Sequence, residues 1–202
     1  MFYYTSDLHI GCKNSFENRT LEHDQIIINN WNKVVHNDDT VFILGDIGRL
    51  GNNKDNAYVA SIISQLKAKK ILILGNHDQQ EIKDNRISQL FTEITPYKEI
   101  TDNFNGKSHN LVLSHYPIYS WNGAYKGWIH LYGHTHNNFD HFMFQEALQK
   151  LRDKVHELNI QKEMENSPKF KAEPYAYNVG CMLWDYTPIT LKQILERNNI
   201  NV

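Results

Sequence analysis

With only Cys12 and Cys181 in 202 residues, the chain has too few cysteines for a disulfide framework or a cysteine-built zinc site. Cys12 follows closely on His9, but a soft thiolate suits a hard, oxygen-rich site poorly, since such a site prefers carboxylate and imidazole. Positive charge is not in excess either. The formal net charge is -2, so no general basic field draws in a polyanion such as duplex DNA. Small phosphorylated compounds stay open as substrates, because metal ions can supply positive charge locally. No apolar run is long enough to span a membrane, and the opening Met-Phe-Tyr-Tyr-Thr enters a strand directly, without the charged and apolar segments of a leader. The expectation is a cytoplasmic protein with no membrane partner. Internal repeats and low-complexity tracts are also missing.

What is present is an ordinary globular composition, 41% hydrophobic, 22% charged and 12% aromatic, enough to bury a real core in a single domain over residues 1–202. The chain alternates apolar runs with helical patterns. Phe2 to Thr5 reads as a strand. Leu21 to His36 reads as a helix with Ile26, Ile27, Trp31, Val34 and Val35 on one broad face. A strand from Val41, a helix from Asn56 to Lys67 and a strand from Ile71 to Leu74 continue the alternation, which is the signature of parallel crossover units in an α/β fold. A helix is expected from Asp78 through Leu90 and a strand from Ile94 to Ile100. The Thr101 to Ser108 segment reads as a turn that brings antiparallel pairing into the later half. Asp140 to Glu165 has Phe144, Leu148, Leu151, Val155 and Leu158 on an otherwise charged background, a long amphipathic helix with a narrow seam. Its roles are a surface helix packed on its own domain, a homodimer contact, or a lid. Strands from Tyr175 to Val179 and Met182 to Trp184, then a helix from Thr190 to Asn198, close the chain.

Five of the apolar runs end in residues that bind metals. Ser6-Asp7-Leu8-His9, Gly45-Asp46, Gly75-Asn76-His77-Asp78, Ser114-His115 and Gly133-His134-Thr135-His136 each follow a strand-like segment, the end at which open α/β sheets place their sites. Asp7, His9, Asp46, Asn76, His115, His134 and His136 exceed what one tetrahedral zinc needs and suit two divalent ions sharing a ligand. Asp46 is the natural bridge, because its two oxygens can hold both ions within the roughly 3.5–4 Å that two-metal hydrolysis uses. Asp7 and His9 lie two positions apart, as do His134 and His136, so in regular strands each pair shares a face and converges. His77 is left over for proton transfer to a leaving group, with Asp78 orienting its imidazole.

In that order, Asp-x-His, Gly-Asp, Gly-Asn-His-Asp, a lone His after a strand and Gly-His-x-His resemble the calcineurin-like metallophosphoesterases, over roughly Met1 to His136 and again near Asn178-Val179-Gly180. The resemblance implies a four-layer α/β/β/α sandwich, with two central mixed sheets flanked by helices and the long amphipathic helix at about 140–165 inserted. It implies that Asp7, His9, Asp46 and His136 hold one metal ion, that Asp46, Asn76, His115 and His134 hold the other, and that His77 with Asp78 forms the catalytic dyad. The protein serine/threonine phosphatases of this fold show Gly-Asp-x-x-Asp-Arg-Gly and Gly-Asn-His-Glu, which this chain does not. The small bacterial and phage phosphoesterases are more similar, although many carry Gly-His-x-Asn where this chain has Gly11-Cys12-Lys13-Asn14.

The expected activity is hydrolysis of phosphomonoesters or phosphodiesters, with a small phosphorylated compound such as a nucleotide as substrate. Manganese comes first among manganese, iron, zinc and nickel as the ions this mixed imidazole and carboxylate set suits. The rivals are a nuclease working on nucleic-acid ends and a non-catalytic metal-binding scaffold. Around the ligands, Arg19 and Arg49 are candidates to grip phosphate, His130 to support the ligand cluster from behind, and Tyr119, Trp121 and Tyr125 either to stack on a base or to pack.

Overall fold

In the computed structural model, which describes residues 1–12, 21–78 and 82–199, the expected crossovers open the chain. They are β1 (Phe2–Thr5), α1 (Leu21–Val34), β2 (Thr40–Ile43), α2 (Asn53–Ile63), β3 (Lys69–Ile73), the single-turn α3 (Asn85–Ser88) and β4 (Glu93–Thr95). β5 (Tyr97–Phe104), β6 (Lys107–Ser114), β7 (Ile129–Tyr132), α4 (Phe139–Met164), β8 (Tyr175–Asn178) and α5 (Leu191–Arg197) follow. The strands form two four-stranded sheets, ordered β1-β2-β3-β4 and β5-β6-β7-β8. All pairs in the first are parallel, and Tyr4 adds one antiparallel bridge to Ile189. The second is mixed, antiparallel between β5 and β6 and parallel elsewhere.

Strand periodicity builds the layers. Along β2, Val41 and Ile43 face one way and join Ile27, Trp31, Val59 and Ile63 of α1 and α2, while Phe42 faces the other and meets Leu111, Leu113 and Leu131 of the second sheet. On that sheet's far side Val112, Tyr132 and Ala176 pack on Leu148 of α4. The result is a helix layer, two sheets and a helix. Trp31 is fully buried, and its indole N–H donates to the Lys67 carbonyl (3.0 Å), which fixes α1 against the α2–β3 connection. Asn138 caps α4 by accepting from the Asp140 and His141 amides, and Leu148 and Val155 are the buried positions of its seam. The seam packs on its own domain. No helix among the described residues is long and apolar enough to cross a membrane.

Four expected elements come out differently. The run Ile94 to Ile100 is two strands in two sheets, because Pro96, with no N–H to donate, sits where the chain leaves β4 and enters β5. Thr101 to Phe104 extends β5, and the turn is only Asn105-Gly106, both in the left-handed region (φ 51° and 72°) that a tight two-residue hairpin requires. The strand expected at Met182 to Trp184 is a 3-10 turn, Cys181–Leu183. Of the helix expected from Asp78 to Leu90, α3 is what the described residues show; residues 79–81 lie outside them.

Candidate metal centre

The candidate ligands leave their strands before they converge. β1 ends at Thr5 and β7 at Tyr132, so Asp7, His9, His134 and His136 are loop residues, and the shared strand face inferred from their spacing does not bring them together. Left-handed backbone does. Asp7, His9, Asp46, His134 and His136 have φ of 57°, 44°, 55°, 68° and 45°. A non-glycine residue there costs on the order of 1 kcal/mol or more, and it persists only where the surroundings over-determine it. Five such residues around one point mark a site that the fold holds in tension.

Hydrogen bonds supply the holding. The His134 amide donates to both oxygens of Asp7 (3.1 Å each), and the Asp7 amide donates to the Gly45 carbonyl (3.0 Å). Asn178, buried behind the last loop, donates to the His136 carbonyl (2.9 Å) and accepts from the Gly180 amide (2.8 Å). Gly133 has no room for a side chain, since a Cβ there would collide with the Ser6 hydroxyl.

The side chains so placed form two overlapping groups, Asp7 with His9 and His136, and Asp7 with Asp46 and His115, whose ligand atoms lie within 4.8 Å of one another. Asp46 Oδ2 lies 3.7 Å from His9 Nε2 and 3.6 Å from His115 Nε2, within reach of both. Asp7 Oδ1 is 3.4 Å from His136 Nε2. The Asn76 side-chain oxygen is 2.9 Å from His115 Nε2, and the His134 ring centroid is 5.0 Å from that of His115. All seven candidates are thus gathered; Asp7 belongs to both groups, and Asp46, a member of the second, also faces His9 of the first.

This donor set fits cations. Asp7 and Asp46 are buried together, 0% and 2% exposed, and the imidazoles of His9, His115 and His136 face them. Two like charges in that position need compensation. His9 Nε2 and His136 Nε2 face each other at 3.1 Å, about the separation that metal–nitrogen bonds of about 2.1 Å impose at a right angle. Burial pushes the Asp7 carboxyl up, but the facing His136, His115 and His9 outweigh it and hold it below the ordinary carboxylate range. Burial and the neighbouring His115 lower the pKa of His134, which favours the neutral imidazole a metal binds.

His77 and Asp78 part company. The His77 ring is exposed, 5.7 Å between centroids from His9, and lines a cleft of about 340 Å³ with His9, Cys12, Gly48, Arg49, Leu50 and His136. Asp78 is fully buried, and its carboxylate accepts from the amides of Asp46 (2.8 Å), Ile47 (3.0 Å) and Gly75 (2.8 Å). Both oxygens are taken by backbone, so the expected orientation of His77 by Asp78 is not what the structure has. A larger cleft of about 450 Å³ lies by Trp184 and Arg197, so donor chemistry and not volume locates the site.

The outlying candidates fall to other roles. His130 points from β7 toward α4, away from the ligands. Its Nε2 accepts from the Ile118 amide (3.1 Å), which leaves the protonated Nδ1 to donate to the Val112 carbonyl (3.1 Å), and burial lowers its pKa to about 4. Trp121 is buried with its indole N–H on the Trp128 carbonyl (2.9 Å), and Tyr125 packs on Phe170, so these two pack; Tyr119 is exposed. Arg49 reaches the cleft while pairing with Asp55 (3.1 Å). Arg19 lies outside the described residues. Sequence reasoning passed over Tyr116, whose half-exposed ring lies 4.6 Å from that of His134; its place directly after His115 was the available signal.

Comparison with known proteins agrees with this architecture. The chain is 33% identical over 160 residues to the Gene 66 protein of Mycobacterium phage L5, covering 67% of this chain and 77% of the relative. It is 29% identical over 150 residues to an uncharacterized protein of Methanocaldococcus jannaschii, covering 70% and 73%. A solved structure of a protein of unknown function from Aquifex aeolicus superposes with a TM-score of 0.64 at 24% identity over 98% of both chains, which speaks for the fold alone. The family model for calcineurin-like phosphoesterases matches residues 1–200, and the chain belongs to that family.

Proposed function

We propose that the protein is a dimetal phosphoesterase that hydrolyses a small phosphomonoester or phosphodiester, with Asp7, His9, Asp46 and His136 holding one divalent ion and Asp46, Asn76, His115 and His134 the other. The observation that carries this reading is the convergence of buried carboxylates and imidazoles on five left-handed backbone positions at the ends of two sheets. Divalent ions bound there, manganese first among them, supply Lewis-acid charge and lower the pKa of a coordinated water.

The chain's own residues do the rest. The ligand loops fix the cleft that receives the phosphoryl group, and Asp46, facing both groups, sets the spacing of the two positions. The His77 ring is exposed at the cleft and makes no hydrogen bond among the described residues, so a ring nitrogen can take a proton from solvent and hand it to the departing alkoxide. The Arg49 guanidinium, at the same cleft, can turn from Asp55 to a phosphate oxygen.

The test is turnover of a chromogenic phosphomonoester and a chromogenic phosphodiester side by side by manganese-loaded protein, with His77→Ala as the comparison. Turnover of either, reduced by about 10²–10⁴-fold in the variant and most for poor leaving groups, is expected of a general acid. Equal turnover by wild type and variant across good and poor leaving groups removes His77 from proton transfer. No turnover of either ester by protein holding two ions contradicts the phosphoesterase reading.

A further inference from the structure

Asp78 follows the candidate acid in sequence, yet its side chain is committed elsewhere. The Asp46 and Ile47 amides point the same way because Asp46 is in the left-handed region (φ 55°), and successive N–H groups around such a residue make a small anion-binding nest. The Asp78 carboxylate fills that nest and takes a third N–H from Gly75, tying the loop after β2 to the loop after β3. The same tetrapeptide grips Asp46 from the other side. The His77 amide donates to Asp46 Oδ1 (3.0 Å), which turns Oδ2 toward His9 and His115. Gly75 leaves the space this needs, since a Cβ there would collide with Asp46 Oδ1.

We propose that Asp78 is a positioning residue for Asp46 and not the partner of His77: by filling the amide nest it holds the shared carboxylate in its strained conformation and sets the affinity for both metal ions. The inference rests on the metal-centre reading. It follows from donor counting. A carboxylate offers two oxygens with lone pairs enough for three amides, whereas the carboxamide of Asp78→Asn sets an NH₂ group against a backbone N–H and leaves a buried donor unpaired. Released from the nest, Asp46 relaxes out of the left-handed region and withdraws Oδ2 from both groups.

The experiment is titration of metal-free wild type, Asp78→Asn and His77→Ala with Mn²⁺, followed by calorimetry and by the electron paramagnetic resonance of coupled manganese pairs. Leaving-group dependence is then measured at saturating Mn²⁺. Expected for Asp78→Asn is affinity about 10–100-fold weaker, as for other residues that orient metal ligands, with loss of the coupled signal at two equivalents and its return in excess. At saturation its leaving-group dependence matches wild type, whereas His77→Ala binds Mn²⁺ normally and shows a steeper dependence. Unchanged affinity together with a dependence like that of His77→Ala overturns the proposal and restores the dyad. Asp78→Glu, which keeps the carboxylate on a longer stem, is read by the same criteria if the amide variant does not fold. Wild type that takes up no Mn²⁺ overturns the metal-centre reading and this inference with it, an outcome distinct from a variant that binds as wild type does.

Discussion

Residue types made the candidate ligand set legible. Asp7, His9, Asp46, Asn76, His115, His134 and His136 stand out because carboxylate, amide and imidazole recur at strand ends, and the structure gathers all seven. How they converge was not legible. Spacing of two implies a shared strand face, but the backbone has already turned left-handed, and an aspartate or histidine is a far weaker sequence signal for a positive φ than the glycine that usually marks one. The role of Asp78 was hidden likewise, since adjacency to His77 says nothing of where a buried carboxylate finds its donors. At this scale Arg49→Ala should raise KM for a phosphoester by about two- to five-fold and leave kcat near wild type, the size of an exposed ion pair, as steady-state kinetics will show. His130 gives a pH prediction for the metal-free protein. Its folded pKa of about 4 lies below the unfolded value of 6.5, so the unfolded chain gains a proton first as pH falls. Stability is therefore full above about pH 6.5 and declines until about pH 4, by on the order of 3 kcal/mol from this group. Urea unfolding at several pH values should show a shallower decline for His130→Gln, whose amide can still accept from Ile118 and donate to Val112. An identical slope contradicts the assignment.

Among the elements, the long periodic ones were readable and the short, context-driven ones were not. α1 and α4 lie where their apolar spacing puts them, because a helix of several turns repeats its signal. The strand from Ile94 to Ile100 was misread because the apolar pattern runs straight through Pro96, and only pairing with two different sheets shows the break. Met182 to Trp184 has strand-like composition but turns, since Leu183 donates back to the Gly180 carbonyl and Trp184 to that of Cys181. The seam of α4 yields a stability prediction. Leu148 is fully buried against Val112, Tyr132 and Ala176, so Leu148→Ala should cost about 2–5 kcal/mol in urea unfolding. It should leave Mn²⁺ affinity unchanged, because this contact lies on the face of the second sheet opposite the first. A loss of metal binding equal to the loss of stability contradicts that separation.

At the scale of the whole molecule, two sheets packed face to face bring the loops after β1, β2, β3, β6 and β7 to one place. Each sheet supplies part of the candidate centre: Asp7, His9, Asp46 and Asn76 from the first, His115, His134 and His136 from the second. The inter-sheet core of Tyr4, Phe42, Leu111, Leu113 and Leu131 therefore sets the distance between the candidate ligands as well as the stability of the fold. Alternating strands and helices in the sequence announce the parallel crossovers, and the family resemblance implies the two-sheet sandwich; the distances within it follow only from packing. The most direct measurement is titration of metal-free protein with Mn²⁺ while hydrolysis of a chromogenic phosphoester is followed in the same samples. Two ions bound per chain, with turnover appearing as the second is taken up, is the result a shared dimetal centre predicts. Turnover complete at one ion per chain, or indifferent to the metal, contradicts it.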